Sequence, residues 1–284
     1  MATILRGAEV AGALKTKLSE KAAALAAGGV IPTLCVIRVG ERSDSIAYET
    51  AAAKRSESIG IRVVKHTMQE NTSQDAMIEL IDTVNKDPAI HGVLIFMPLP
   101  KHLDSDAIRA ALSPEKDVDG ITGSSVVSVF SGDQTGFAPC TARSCVEILD
   151  HFGIEIAGKH VVIIGRSLVI GRPLAMMLLS RNATVTMCHS ATKDIPSFSR
   201  QADILVVAAG KSGLVDAKYL SPGQTVIDVG INVGDDGQLS GDVLYSDAEP
   251  IARAITPVPG GVGSVTTSVL AKHVLIAAEA AAKK

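Results

Sequence analysis

The chain has no tryptophan, and aromatic residues make up only 3% of it, although its hydrophobic share is 46%. Its apolar mass is therefore alanine, valine, isoleucine and leucine, the residues that fill helices packed on parallel strands. Charge of one sign is also lacking. A net charge of −3 gives no basic footprint and argues against a nucleic-acid partner. Cysteine is scarce, with Cys35, Cys140, Cys145 and Cys188 forming no C-x-x-C pair and no histidine spacing suited to zinc. No metal site is expected, and the thiols read as buried groups in a reducing cytoplasm. No signal peptide opens the sequence and no apolar run is long enough to span a bilayer. A cytoplasmic protein without a membrane partner is expected.

What is present is alternation. The 284 residues suffice for two domains of ordinary size. Helical spacing over 7–27 precedes a strand at 32–39, a helix near 45–59, a strand at 61–65, a helix at 73–86, a strand at 91–96 and a helix near 104–112. The segment 113–139 reads as a long loop and the hinge, rich in Asp, Gly and Ser. A helix near 141–152 then leads into strands at 160–165, 184–188, 203–208 and 225–229, and a last helix spans 265–282. This is the grammar of an α/β protein with a mostly parallel sheet.

The most informative stretch is VVIIGRSLVIGRP, residues 161–173. A β-branched run ends at Gly165, a turn follows, and Gly171 and Pro173 open an apolar helix. Free N–H groups and the positive dipole end make such a helix start fit for phosphate. The spacing is Gly-x5-Gly rather than G-x-G-x-x-G, so a plain βα turn that needs glycine for positive φ stands beside the nucleotide reading. No acid closes the next strand, TVTMC, where an NAD-binding unit usually carries one. Arg166 and Ser167 lie in the turn and Ser190 lies past the strand tip. A cation with hydroxyls suits the extra phosphate of NADP, unless Arg166 is merely a solvated loop cation.

Three further blocks are improbable as scaffolding: PEKDVDGIT at 114–122, VIDVGIN at 226–232 and TPVPGGVG at 256–263. Together with GRSLVIGRP and VGERSDSIAYETAAAK, in this order and spacing, they closely resemble the methylenetetrahydrofolate dehydrogenase/cyclohydrolase family. The resemblance implies an N-terminal α/β folate-binding domain over 1–139, with the C-terminal helix 265–284 packing back on it. A Rossmann-type NADP-binding domain would span 140–264, with a cleft between the two domains. It also implies a homodimer, NADP as cofactor and tetrahydrofolate one-carbon derivatives as substrates. By position, Gly165, Arg166, Ser167 and Ser190 would bind NADP and Ile231 its nicotinamide half. Asp119 would bond the pterin, Tyr48 would line the folate site, and Pro259, Gly260 and Gly261 would close its wall. Tyr48 and Asp119 are the catalytic candidates. Read alone, Tyr48 also suits a packing residue and Asp119 an Asp-Gly turn, with Asp117 as a decoy. His189 reads as a loop residue, and His91 has no role.

Two positions depart from the family pattern. The pattern Tyr-x-x-x-Lys puts a lysine one turn past the tyrosine, but Ala52 stands there. Lys54, two residues on, is rotated about 200° round the helix. The pattern V-Q-L-P-L-P has its glutamine replaced by Phe96 in IFMPLP. The expected consequence is a dehydrogenase with weak or lost cyclohydrolase activity. The alternatives are the full bifunctional enzyme, a silent folate- or nucleotide-binding paralogue, and a dehydrogenase for another one-carbon carrier.

Overall fold

The computed structural model describes residues 1–133, 135–234 and 236–283. In chain order the elements are β1 (Thr3–Ile4), α1 (Gly7–Ala27), β2 (Thr33–Val39), α2 (Ser43–Glu57), β3 (Arg62–Met68), α3 (Gln74–Lys86), β4 (Gly92–Ile95), α4 (Ser105–Ala111), α5 (Gly123–Ser131) and α6 (Cys140–His151). There follow β5 (His160–Ile164), α7 (Gly171–Leu179), β6 (Thr184–Cys188), α8 (Ile195–Ser199), β7 (Ile204–Val207), β8 (Thr225–Asp228), β9 (Asn232–Val233), β10 (Leu239–Ser240), α9 (Tyr245–Ala248), β11 (Ala254–Ile255) and α10 (Thr266–Ala281). The chain divides into two compact units, Met1–Gly12 with Thr141–Thr266, and Ala13–Cys140 with Thr267–Lys284. Lys284, the end of the expected C-terminal helix, lies outside the described residues.

The unit built on Ala13–Cys140 holds a three-stranded parallel sheet in the order β3-β2-β4. Its central strand TLCVIRV is buried along nearly its whole length, as a strand covered on both faces must be. Cys35, Ile37, Val93 and Ile95 pack with Met77 and Ile81 of α3 on one face. The chain goes from β2 out to β3 and returns to β4 on the other side of β2. The sheet therefore reverses its strand order between β2 and β4, and it is past the carboxyl ends of strands at such a point that open α/β sheets hold ligands.

The other unit holds a six-stranded parallel sheet in the order β1-β11-β8-β7-β5-β6. The buried runs HVVII, ILVV and TVID form its middle. Here the reversal falls between β5 and β7. The turn Gly165–Ile170 and the start of α7 stand at that point, the place where open α/β sheets hold ligands.

Met1–Gly12 cluster with Thr141–Thr266, Thr3 and Ile4 pairing with Ala254 and Ile255 at the edge of the six-stranded sheet. One expectation is corrected. The segment 113–139 is not a plain loop. It holds a short 3-10 turn at Pro114–Lys116 and the helix α5, which starts at Thr122, whose hydroxyl accepts from the Ser125 N–H, and ends at Gly132 with φ of 76°.

Candidate active site

In the six-stranded unit, the turn after β5 is shaped by two glycines. Gly165 has φ of 123°, and a Cβ there would run into the Ala208 carbonyl at the end of β7. A Cβ on Gly171 would run into the Gly165 carbonyl. Glycine is thus needed at both positions for close backbone approach. The Ser167 hydroxyl accepts from the Ile170 N–H at 3.1 Å and ties the turn together. Arg166 and Ser167 are exposed, and Ser190 is exposed past the end of β6. His189 is a loop residue: its Nδ1 accepts from the Ala191 N–H at 3.2 Å.

In the same unit a cavity of about 250 Å³ brings together Ile231, Pro259, Gly260 and Gly261, with Asp228 and Leu239 on its wall. The Pro259–Gly261 loop is held from below, where the Gly7 N–H donates to the Gly260 carbonyl at 2.8 Å. A Cβ on Gly261 would strike the Pro257 carbonyl. Ile231 is 60% exposed, a large aliphatic group open to whatever occupies this end of the sheet.

Two acids that sequence reasoning did not single out brace these loops. Asp242 is buried and accepts from the N–H groups of Ala209, Gly210 and Lys211 at 2.6–2.8 Å, and from Asn232 Nδ2 at 3.0 Å. It fixes the loop after β7. Asp228 accepts from the N–H groups of Gly230, Asp242 and Val243 at 3.0 Å. Burial pushes the Asp228 carboxyl up to about 6, with the charge of Asp242 adding to the rise and the three N–H bonds opposing it. Asp228 lies inside the VIDVGIN block, but nothing local in the sequence marks its carboxylate as a brace.

In the three-stranded unit, α2 follows β2 and Phe96 follows β4, so both stand at the point where the strand order reverses. The rings of Tyr48 and Phe96 meet edge to face, with centroids 5.9 Å apart and planes at 78°. Both are half-buried. Ala52, one turn past Tyr48, is completely buried, and Lys54 is exposed near the carboxyl end of α2. The helix is regular from Ser43 to Glu57, so no shift brings Lys54 onto the Tyr48 face. Its ammonium sits instead where it complements the helix dipole.

The rotation of α2 is set by a charge cluster missed in the sequence. Glu49, buried beside Tyr48, accepts from Arg38 Nε at 2.7 Å and meets Lys65 Nζ at 3.1 Å. Arg38 also donates to the Gly40 carbonyl. Burial pushes the Glu49 carboxyl up, but the hydrogen bonds and charges of Arg38 and Lys65 outweigh it and hold it below the usual carboxylate value. Both cations are thus already committed to Glu49.

Asp119 lies in the turn before α5 and is half-buried. Burial pushes its carboxyl up to about 6, with the Asp117 charge adding to the rise and Cys140 opposing it. Asp117 is fully buried and structural: it accepts from the N–H groups of Ile121 and Thr122 and from Ser125 Oγ at 2.7–2.9 Å. His91 is buried, its Nδ1 accepting from the Thr33 N–H at 3.2 Å. Among the described residues no group of three or more His, Cys, Asp or Glu could hold a metal ion, and no helix is long and apolar enough to cross a membrane.

Comparison with known proteins agrees across the whole length. The model of the tetrahydrofolate dehydrogenase/cyclohydrolase catalytic domain matches residues 5–119, and that of the family's NAD(P)-binding domain matches 139–282. The chain is 47% identical over 281 residues to the bifunctional protein FolD of Carboxydothermus hydrogenoformans, covering 98% of each. Among crystal structures, it is similar to the bifunctional FolD dehydrogenase/cyclohydrolase of Campylobacter jejuni, with a TM-score of 0.96, 38% identity and 99% of each chain covered. It is also similar to the Trypanosoma brucei FolD complexed with NADP cofactor and an inhibitor, with a TM-score of 0.94, 36% identity and coverage of 100% of this chain and 99% of that one. On these matches, the chain belongs to the tetrahydrofolate dehydrogenase/cyclohydrolase family.

Proposed function

We propose that this protein oxidises 5,10-methylenetetrahydrofolate to 5,10-methenyltetrahydrofolate with NADP, and that its hydrolysis of the methenyl product to 10-formyltetrahydrofolate is weak or lost. The observation that carries the second part is the buried methyl of Ala52 and the phenyl ring of Phe96 against Tyr48, where the family pattern has an ammonium and an amide.

The turn after β5 fits the cofactor. Two glycines without room for a Cβ let the backbone approach a diphosphate, and the N–H groups that open α7 face the same turn. Exposed Arg166, Ser167 and Ser190 are free to meet the outer phosphate that distinguishes NADP. When bound, NADP supplies the hydride acceptor. The loop Pro259–Gly261 and Ile231 shape the cavity for the nicotinamide and folate side. Asp119 accepts N–H bonds from the pterin and orients it, and Tyr48 lines the folate site.

Hydride transfer needs alignment and a dry site, and the cofactor carries the electronic work. Hydrolysis needs an attacking water and proton transfers, and removal of a general acid–base group costs on the order of a hundredfold to ten-thousandfold. The phenyl ring of Phe96 excludes water and serves the first reaction at the expense of the second. The alternative, a full bifunctional enzyme, is favoured by the whole-chain similarity to proteins named bifunctional. A paired spectrophotometric assay separates the two readings. One arm follows methenyl formation with NADP and then NAD; the other follows the loss of added methenyltetrahydrofolate above its spontaneous rate. Loss at the rate of ordinary bifunctional enzymes would sink the monofunctional reading. Absence of both activities would point to a binding paralogue or another one-carbon substrate. The resemblance also supports a cytoplasmic homodimer, for which light scattering should return twice the chain mass.

A further inference from the structure

We infer that Asp242 is a positioning residue of the cofactor site: its carboxylate ties the loop after β7, which abuts the glycine turn, to the loop after β8, which presents Ile231, and so sets the spacing between the places that take the two halves of a dinucleotide. The inference rests on the proposed binding of NADP at this end of the sheet.

The geometry lies wholly within the six-stranded unit. On one side, Asp242 Oδ2 accepts from the Ala209 and Gly210 N–H groups at 2.6 and 2.8 Å, and Oδ1 accepts from the Lys211 N–H at 2.8 Å. The loop so held lies against the glycine turn. The Ala208 N–H donates to the Ile164 carbonyl at 2.8 Å, and a Cβ on Gly165 would strike the Ala208 carbonyl. On the other side, Oδ1 also accepts from Asn232 Nδ2 at 3.0 Å. Gly230 passes so close to the same carboxyl that a Cβ there would run into it. The Gly230 N–H donates to Asp228 Oδ1 at 3.0 Å, and that oxygen also accepts from the Asp242 N–H at 3.0 Å. Both neighbours of Ile231 are therefore anchored to one of two linked acids. The Ile231 side chain is 60% exposed, so its backbone is held by these flanks and not by packing of the side chain. The brace reaches the cavity wall as well, because the Asp228 N–H donates at 2.8 Å to Thr256 Oγ1, at the head of the TPVPGGVG loop.

The task suits a carboxylate and no neutral side chain. Two carboxylate oxygens offer about four acceptor sites. The N–H groups of Ala209, Gly210, Lys211 and Asn232 take them all, around a side chain that is fully buried. Nothing is left over for a ligand or a cation, so the group serves the loops. A buried carboxylate is costly unless it is hydrogen-bonded, and here the bonds come from two loops at once. An amide in its place has one oxygen and turns an NH2 group towards donors from which it cannot accept.

The test is calorimetric titration of the full chain with two probes, NADP and adenosine 2′,5′-bisphosphate, which carries the adenine-side half without the nicotinamide. Asn232→Ala cuts the tie between the loops and leaves the three N–H bonds from the loop after β7; Asn232 is half-buried, so the change is mild for the fold. This variant should bind NADP about tenfold more weakly, the lower range for a hydrogen bond to a charged group, and keep its affinity for the bisphosphate within about twofold. Asp242→Asn releases both loops and should weaken both probes. A brace that serves stability alone would lower the denaturation midpoint without separating the probes. Parent-like NADP affinity in Asn232→Ala overturns the inference, as does an equal loss for both probes in that variant. A parent chain that binds neither probe overturns the proposed cofactor, and the inference with it.

Discussion

Tyr48 and Phe96 form an edge-to-face pair, one from the helix after β2 and the other from the end of β4, with centroids 5.9 Å apart. Such pairs contribute about 0.5–1.5 kcal/mol beyond area burial. The contact sets an aromatic pair beside α2, one turn from the buried methyl of Ala52. The double change Ala52→Lys with Phe96→Gln should raise methenyl hydrolysis at least a hundredfold, the lower range of a recovered acid–base group. Dehydrogenase turnover measured alongside should change far less. No gain in hydrolysis, in a variant that still binds folate, would remove Ala52 and Phe96 as its determinants.

The Arg38–Glu49–Lys65 cluster sets where α2 sits and hence where Tyr48 points. Arg38 and Glu49 side chains are only 11% and 10% exposed. Glu49→Gln leaves a buried guanidinium without its counter-charge and should cost about 3 kcal/mol at pH 7 by chemical denaturation. The sign with pH follows from the depressed Glu49 carboxyl. Its stabilisation is present above the ordinary carboxylate value and is lost as pH falls through the folded one. The gap between parent and Glu49→Gln should therefore narrow on acidification; a gap that widens would refute the ion-pair account.

Gly165 and Gly171 admit no side chain because each missing Cβ would meet a backbone carbonyl. Gly165→Ala also strains a φ of 123°. It should lose NADP binding by tenfold or more, while the KM for folate at saturating NADP moves less. Calorimetric titration of NADP reads this directly, and parent-like affinity would show that the turn is not the phosphate site.

Arg166 and Ser190 carry the proposed preference for NADP over NAD. Hydrogen bonds to charged groups contribute roughly 1.5–3 kcal/mol, so Arg166→Gln with Ser190→Ala should lower the NADP-to-NAD ratio of kcat/KM by at least tenfold. The change should come through weaker NADP use, not better NAD use. An unaltered ratio would return Arg166 to the status of a solvated loop cation.

The sheets were legible in the sequence because their strands are continuous apolar runs between glycines and helical spacings; TVTMC at 184–188 reads the same in sequence and structure. The helix α5 was not, because SSVVSVFS looks like a serine-rich loop until Thr122 and Gly132 are recognised as its caps. β1 is two residues long and takes its strand character wholly from a partner late in the chain. At the candidate site, the glycine turn announces itself by spacing, and Ala52 and Phe96 stand out only against the pattern of the family that the chain resembles. The supporting groups do not. Glu49 is an ordinary helix acid until the fold lays it on Arg38, and Asp242 an ordinary acid until it accepts from the N–H groups of the loop after β7. Their roles arise from long-range packing, which local patterns do not encode.

The edge position of β1 has a bearing on how the chain is made. Thr3 and Ile4 leave the ribosome about 250 residues ahead of their neighbours Ala254 and Ile255. These two residues wait for their partner while the intervening chain is made, and until β11 is in place β8 keeps an unpaired edge. A nascent chain halted before residue 254 would therefore present an unsealed strand edge, a template for association with other copies. Closing that seam joins two segments separated by about 250 residues of chain.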